Sequence, residues 1–182
     1  MKRIILAGIS AAALGVSVFA QAPAGNFDVA LAAAPANMKD QAMVIKWKAD
    51  GSYDTLRPGT NRLVCYDRSG LPGQQAFSIE CTSTANLERV AQNLKAEATG
   101  DKAKSEAMLA EMEKNGTRAK PEFGSVWFHL MGPDKDHPRQ HMTVALPGAT
   151  AASMGLPDNG RSGGAWIMNA GTTTAHLMVP GE

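Results

Sequence analysis

Two groups of short apolar segments bounded by Gly or Pro flank one stretch with helical periodicity, and that order limits what the chain can fold into. Gln41 to Ala49 sets Val44, Lys46 and Lys48 against Met43, Ile45 and Trp47, the alternation of a half-buried strand. Asp50-Gly51 supplies a turn into a short return strand at Thr55-Leu56-Arg57. After Pro58-Gly59-Thr60-Asn61, further strands are expected over Arg62 to Tyr66 and Ala76 to Cys81. From Thr84 the pattern changes. Leu87, Val90, Ala91 and Leu94 recur at helical spacing behind a Ser83 or Thr84 cap. Gly100 interrupts, and a second helix from about Asp101 to Lys114 carries only Met108, Leu109 and Met112 as an apolar stripe before Asn115-Gly116 stops it. So thin a stripe reads as a solvated surface helix, and Lys114 to Pro121 reads as a mobile connection. Strands return at Ser125 to Met131, Met142 to Leu146, Ala165 to Asn169 and Ala175 to Val179. The order predicts an α+β domain: an antiparallel or mixed sheet of about 6–7 strands, with a two-helix insertion between its N-terminal and C-terminal strands.

The first twenty-two residues set the compartment. Lys2 and Arg3 precede an apolar run from Ile4 to Phe19, and Ala20-Gln21-Ala22 has the small-x-small form of a signal peptidase site. The run is interrupted by Gly8 and Gly15 and falls short of the about 20 apolar residues that a membrane span needs. The expected division is a signal peptide over 1–22, an irregular N-terminal arm over 23–40 and a single domain over 41–182. The mature protein is expected to be exported, periplasmic or extracellular, and without stable membrane insertion.

Export changes how charge and cysteine are read. The chain has 18 Lys and Arg against 17 Asp and Glu, and removing Lys2 and Arg3 leaves 16 against 17, a formal charge of −1. There is no basic excess for nucleic acid, which is read from a basic patch or stripe. Cys65 and Cys81 are the two cysteines. In an oxidising compartment such a pair is expected as a structural disulfide, and closing a loop of this size is worth roughly 3 kcal/mol.

All four histidines lie in the last third: His129, His137, His141 and His176. His129 and Met131 are two apart on one strand and so share a face, His176 and Met178 repeat the spacing, and Met142 follows His141. Imidazole with thioether is the ligand mixture that suits Cu(I), so copper bound by His129, Met131, His141, Met142, His176 and Met178 is one functional reading. Methionine is also a common core filler. In the loop from Asp134 to His141, Pro138 removes the helical geometry that would give the His137/His141 spacing a meaning. That loop is expected to be a solvated hairpin connection. Gly160-Arg161-Ser162-Gly163-Gly164 has the form G-x-S-x-G, but a loop precedes Ser162, a strand is expected after it, and the only later acid, Glu182, follows His176. A serine hydrolase using Ser162 and His176 is therefore the weakest class. No phosphate-binding, dinucleotide, zinc or haem motif is present.

Leu56-Arg57-Pro58-Gly59-Thr60-Asn61 followed by Cys65 and Cys81 is similar to a segment of a group of uncharacterised bacterial exported proteins. Gly163-Gly164-Ala165-Trp166-Ile167-Met168, Ala170-Gly171-Thr172 and Ala175-His176-Leu177-Met178-Val179-Pro180 resemble that group's C-terminal ending, and His141-Met142 fits its middle. The chain departs at Arg62-Leu63-Val64, where the group tends to have a tryptophan. The resemblance implies an exported single-domain protein and no mechanism. The sequence thus reads as an exported binding or envelope-associated module, not an enzyme, with an unidentified small ligand or envelope protein as partner. No cofactor is expected for it; copper enters only under the alternative function, copper or other metal binding.

Overall fold

The computed structural model describes residues 27–179; the signal peptide and cleavage site expected over 1–22 lie outside them. Within that range the chain is α+β. Four strands come first: β1 (Met43–Trp47), β2 (Tyr53–Arg57), β3 (Leu63–Asp67) and β4 (Phe77–Ser83), preceded by the one-turn helix α1 (Ala36–Lys39). Helices α2 (Leu87–Glu97) and α3 (Lys102–Lys114) follow. Then come β5 (Val126–Gly132), β6 (Arg139–Ala145), the short α4 (Ala151–Met154), β7 (Trp166–Met168) and β8 (His176–Met178). The strands form one mixed sheet in the order β2-β1-β3-β4-β5-β6-β8-β7. Only β1 and β3 pair in parallel. The sheet has eight strands rather than six or seven, because every segment with a strand signal joins it, even the three-residue β8, which pairs with β6 and carries the equally short β7 at the edge.

Alternation assigns the two faces. Ile45, Val64 and Tyr66 meet Val90 of α2, with Leu87, Leu94 and Trp47 packed around them. On the other face Val44, Leu63, Cys65, Ile79 and Cys81 are covered by Leu31, Ala33 and Phe27 of the N-terminal segment. Each such Val or Ile contributes about 1.5–3 kcal/mol when removed from water. β1 is therefore not the half-buried strand its alternation suggests, since Val44 and Ile45 are both buried and only Lys46 is exposed. Residues 27–40 are irregular apart from α1, yet Leu31 and Ala33 belong to the core. A third cluster of Leu146, Ala149, Ile167 and Ala175 seals the far end.

Cys65 and Cys81 stand directly opposite each other on β3 and β4 and form the disulfide, with Cα atoms 4.1 Å apart. Gly59 turns the chain against β1. A Cβ there would lie 2.4 Å from the Met43 backbone nitrogen, so no larger residue fits without moving main chain. Helix α2 is entered through a 3-10 turn (Thr84–Asn86) capped by Ser83, and α3 stops at Asn115 with Gly116 at φ 75°. No α3 residue is buried. The connection after α3 is not loose. Gln92 of α2 receives the Ala119 N–H and donates to the Thr117 carbonyl, while Arg118 donates to Gln92 and Asn93. Polar side chains of α2, with Arg118 of the connection itself, anchor it where the sequence shows only composition.

Candidate binding cavity

The helix-facing side of β4, β5, β6 and β8 extends beyond the reach of α2's apolar stripe, and a cavity of about 560 Å³ lies over it. That volume is within the about 300–1,000 Å³ common to small-molecule sites. Register sets its floor. Glu80 pairs with His129, His129 with His141, Thr143 with Met178, and Ala145 with His176. Paired residues share a face, so His129, Met131, His141, His176 and Met178 all line the cavity. Met168 joins them from β7, opposite His176. Met142 does not: one residue along from His141, it points to the opposite face and is exposed. His137 remains in the exposed hairpin loop, where its Nδ1 lies 2.9 Å from Asp134.

His141 is the centre of the imidazole group. Its ring centroid is 5.9 Å from that of His129, with Met131 and Met178 on the diagonals of the ladder. Burial, then the charges of His129 and His176, pull its pKa below the ordinary histidine value, which keeps it neutral near pH 7. The other two rings are oriented through Nδ1. In His176, Nδ1 lies 2.7 Å from the Thr174 carbonyl oxygen, to which it donates, so a neutral His176 carries its lone pair on Nε2. In His129, Nδ1 lies 3.2 Å from Glu80 Oε2.

Glu80 itself is buried. Burial alone would raise its carboxyl, but Arg68, His129 and Tyr66 together outweigh burial and hold it at about 2. Arg68 Nη1 donates to Glu80 Oε2 at 2.7 Å and Nη2 to Glu97 Oε2 at 2.6 Å, while the Tyr66 hydroxyl donates to Glu80 Oε1. Desolvation would lower the Arg68 guanidinium, yet the two carboxylates raise it, so it stays charged.

Two more arginines line the same cavity. Arg89 is 5 % exposed and Arg118 7 %. Arg89 donates to the Ala119 carbonyl at 2.6 Å and to the Thr174 hydroxyl at 2.8 Å. Among the described residues no ion pair includes either arginine. Burial, then the like charge of Arg118, push Arg89 down to about 10, and Glu113 offsets this only in part. Arg118 is lowered for the same first reason, against Glu113 and Glu97.

Sequence reading missed Arg68, Glu80, Arg89 and Arg118, because a charged side chain reads by default as solvated. Glu80 did leave a signal: it is the one acid inside an otherwise buried strand, Phe77 to Ser83. Arg89, flanked by Val90 on α2, left a weaker one.

Among the described residues no three His, Cys, Asp or Glu side chains are grouped to hold a metal ion, so a metal here would need the thioethers as ligands. Ser162 ends a 3-10 turn (Gly160–Ser162) between a loop and β7, not a strand-to-helix elbow, and the hydrolase reading has no nucleophile geometry behind it. No helix among the described residues is long and apolar enough to cross a membrane. No family model, curated protein or solved structure matches the chain.

Proposed function

We propose that this protein is an exported binding module, periplasmic or extracellular, whose small ligand occupies the cavity over β4, β5, β6 and β8. The observation that carries this is the convergence of three imidazoles, three thioethers and two arginines outside ion pairs on one concave surface. A surface kept only for packing would gain nothing from enclosing so many polar groups, because each costs desolvation unless a partner compensates it. Export is supported by the leader and by the buried disulfide, a pairing characteristic of oxidising compartments. Thr143→Trp fills the cavity from β6 without touching the packed half of the sheet. In a thermal-shift screen of small organic molecules, compounds that raise the wild-type melting temperature should leave this variant unmoved. Equal stabilisation of both proteins, or no stabilising compound, contradicts the reading.

One observation favours a second reading, a soft-metal site. His129 and His141 face each other across β5 and β6, Met131 and Met178 flank His141, and Nδ1 of His129 is engaged by a carboxylate. A carboxylate on the non-ligating nitrogen is how metal-binding histidines are commonly oriented, and two imidazoles with thioethers suit Cu(I). Titration with Cu(I) against a competing chelator decides it. Tight binding lost in His141→Ala supports the site; weak binding, or binding unchanged in His141→Ala, removes it.

A further inference from the structure

We propose that the ligand of this cavity is an organic carboxylate, with its acidic head on Arg89 and Arg118 and its apolar body along Trp127 and the methionines. The inference rests on the binding reading above and names the ligand's class. The two guanidinium groups come from separate elements, α2 and the connection after α3, and reach the same cavity. A buried cation outside any ion pair is costly, and a ligand that brings the opposite charge removes that cost.

Their present partners are all neutral. Arg89 is held by the Ala119 carbonyl and the Thr173 and Thr174 hydroxyls, and Arg118 by the side-chain amide oxygens of Gln92 and Asn93. These bonds fix the two groups in place without neutralising them. A guanidinium has five N–H donors; Arg89 uses three bonds and Arg118 two, so both retain donors for a carboxylate, the acceptor that matches the guanidinium fork.

The acids in and near the cavity are already committed. Glu80 and Glu97 both accept from Arg68. Glu113 accepts from the Thr173 backbone N–H and hydroxyl, and acts on the arginines only from a distance. Thr174 ties the anion end to the histidine end, since its hydroxyl receives Arg89 and its carbonyl receives His176. An inorganic anion would leave the rest of the floor unused. Trp127, Met131, Met168 and Met178 provide an apolar and adaptable wall for a carbon skeleton.

The test compares acids with their neutral amides: benzoate with benzamide, and hexanoate with hexanamide. Each is titrated calorimetrically into the purified protein near neutral pH. The carboxylates should bind at least about tenfold tighter than the amides, as expected for hydrogen bonds to charged rather than neutral groups. In Arg118→Gln that preference should shrink to about twofold or less. Should Arg118→Gln fail to fold by circular dichroism, the wild-type acid/amide ratio still decides the matter. Amides that bind as tightly as the acids overturn the carboxylate assignment and leave the binding reading standing. Failure of all four compounds to bind overturns both.

Discussion

Glu80 illustrates how one side chain can join core, cavity and pH response. It is enclosed by Tyr66, Arg68 and His129, and its low pKa of about 2 belongs to a carboxylate that folding keeps charged. Removing one member of a buried, hydrogen-bonded ion pair leaves the other uncompensated, which costs about 3–5 kcal/mol. Glu80→Gln should therefore lower stability by that amount in urea unfolding near neutral pH. The sign with pH follows from the lowered value. Stabilisation by Glu80 is complete above the unfolded carboxylate pKa near 4.5 and fades as pH falls toward about 2. The gap between wild type and Glu80→Gln should narrow over that interval; a gap that stays constant or widens contradicts the assignment. His141 acts in the same direction at higher pH. Its lowered pKa contributes stability above the unfolded histidine value near 6.5 that is lost on acidification.

At the scale of elements, the strands and both long helices are legible in the sequence because each is bounded by Gly, Pro or Asn, although β6 begins at Arg139 rather than Met142, since Pro138 ends the hairpin loop and His141 pairs within the ladder. What escapes is the second layer. Val44 and Ile45 look like opposite faces of a half-exposed strand, yet residues 27–40 cover one face while α2 covers the other. A segment of Ala and Pro without periodicity carries no signal that Leu31 and Ala33 will be core. The connection after α3 hides its anchoring for a similar reason, since Arg118 finds Gln92 and Asn93 about 25 residues back, and spacing reveals nothing of that. The disulfide was legible from compartment logic, and its position across the β3/β4 ladder came from the structure. Reduction, or the paired change Cys65→Ala with Cys81→Ala, should cost roughly 3 kcal/mol in urea unfolding without changing the secondary structure seen by circular dichroism. An unchanged unfolding midpoint would contradict that role.

At the scale of the whole molecule, two pieces of chemistry meet that lie far apart in the chain. His129, His141 and His176 were visible as residues, and their shared spacing with methionine hinted at a common face. Their convergence depends on β8 pairing with β6, a contact that pairs residues more than thirty positions apart. Met142 shows the limit of adjacency, because a neighbour in sequence on a strand faces the other way. The arginines were barely legible, being isolated charges in a chain whose formal charge is only +1, with Arg89 marked only by its place beside Val90 on α2. His129, His141, His176, Arg89, Arg118 and the methionines around them are thus proposed to line one ligand site. Following the methionine methyl resonances of carbon-13-labelled protein while hexanoate is added decides whether they do. Met131, Met168 and Met178 should shift together and saturate with a single affinity while Met142 and Met154 stay fixed. Shifts that fail to saturate, or that include Met142 as strongly as the cavity set, would contradict it.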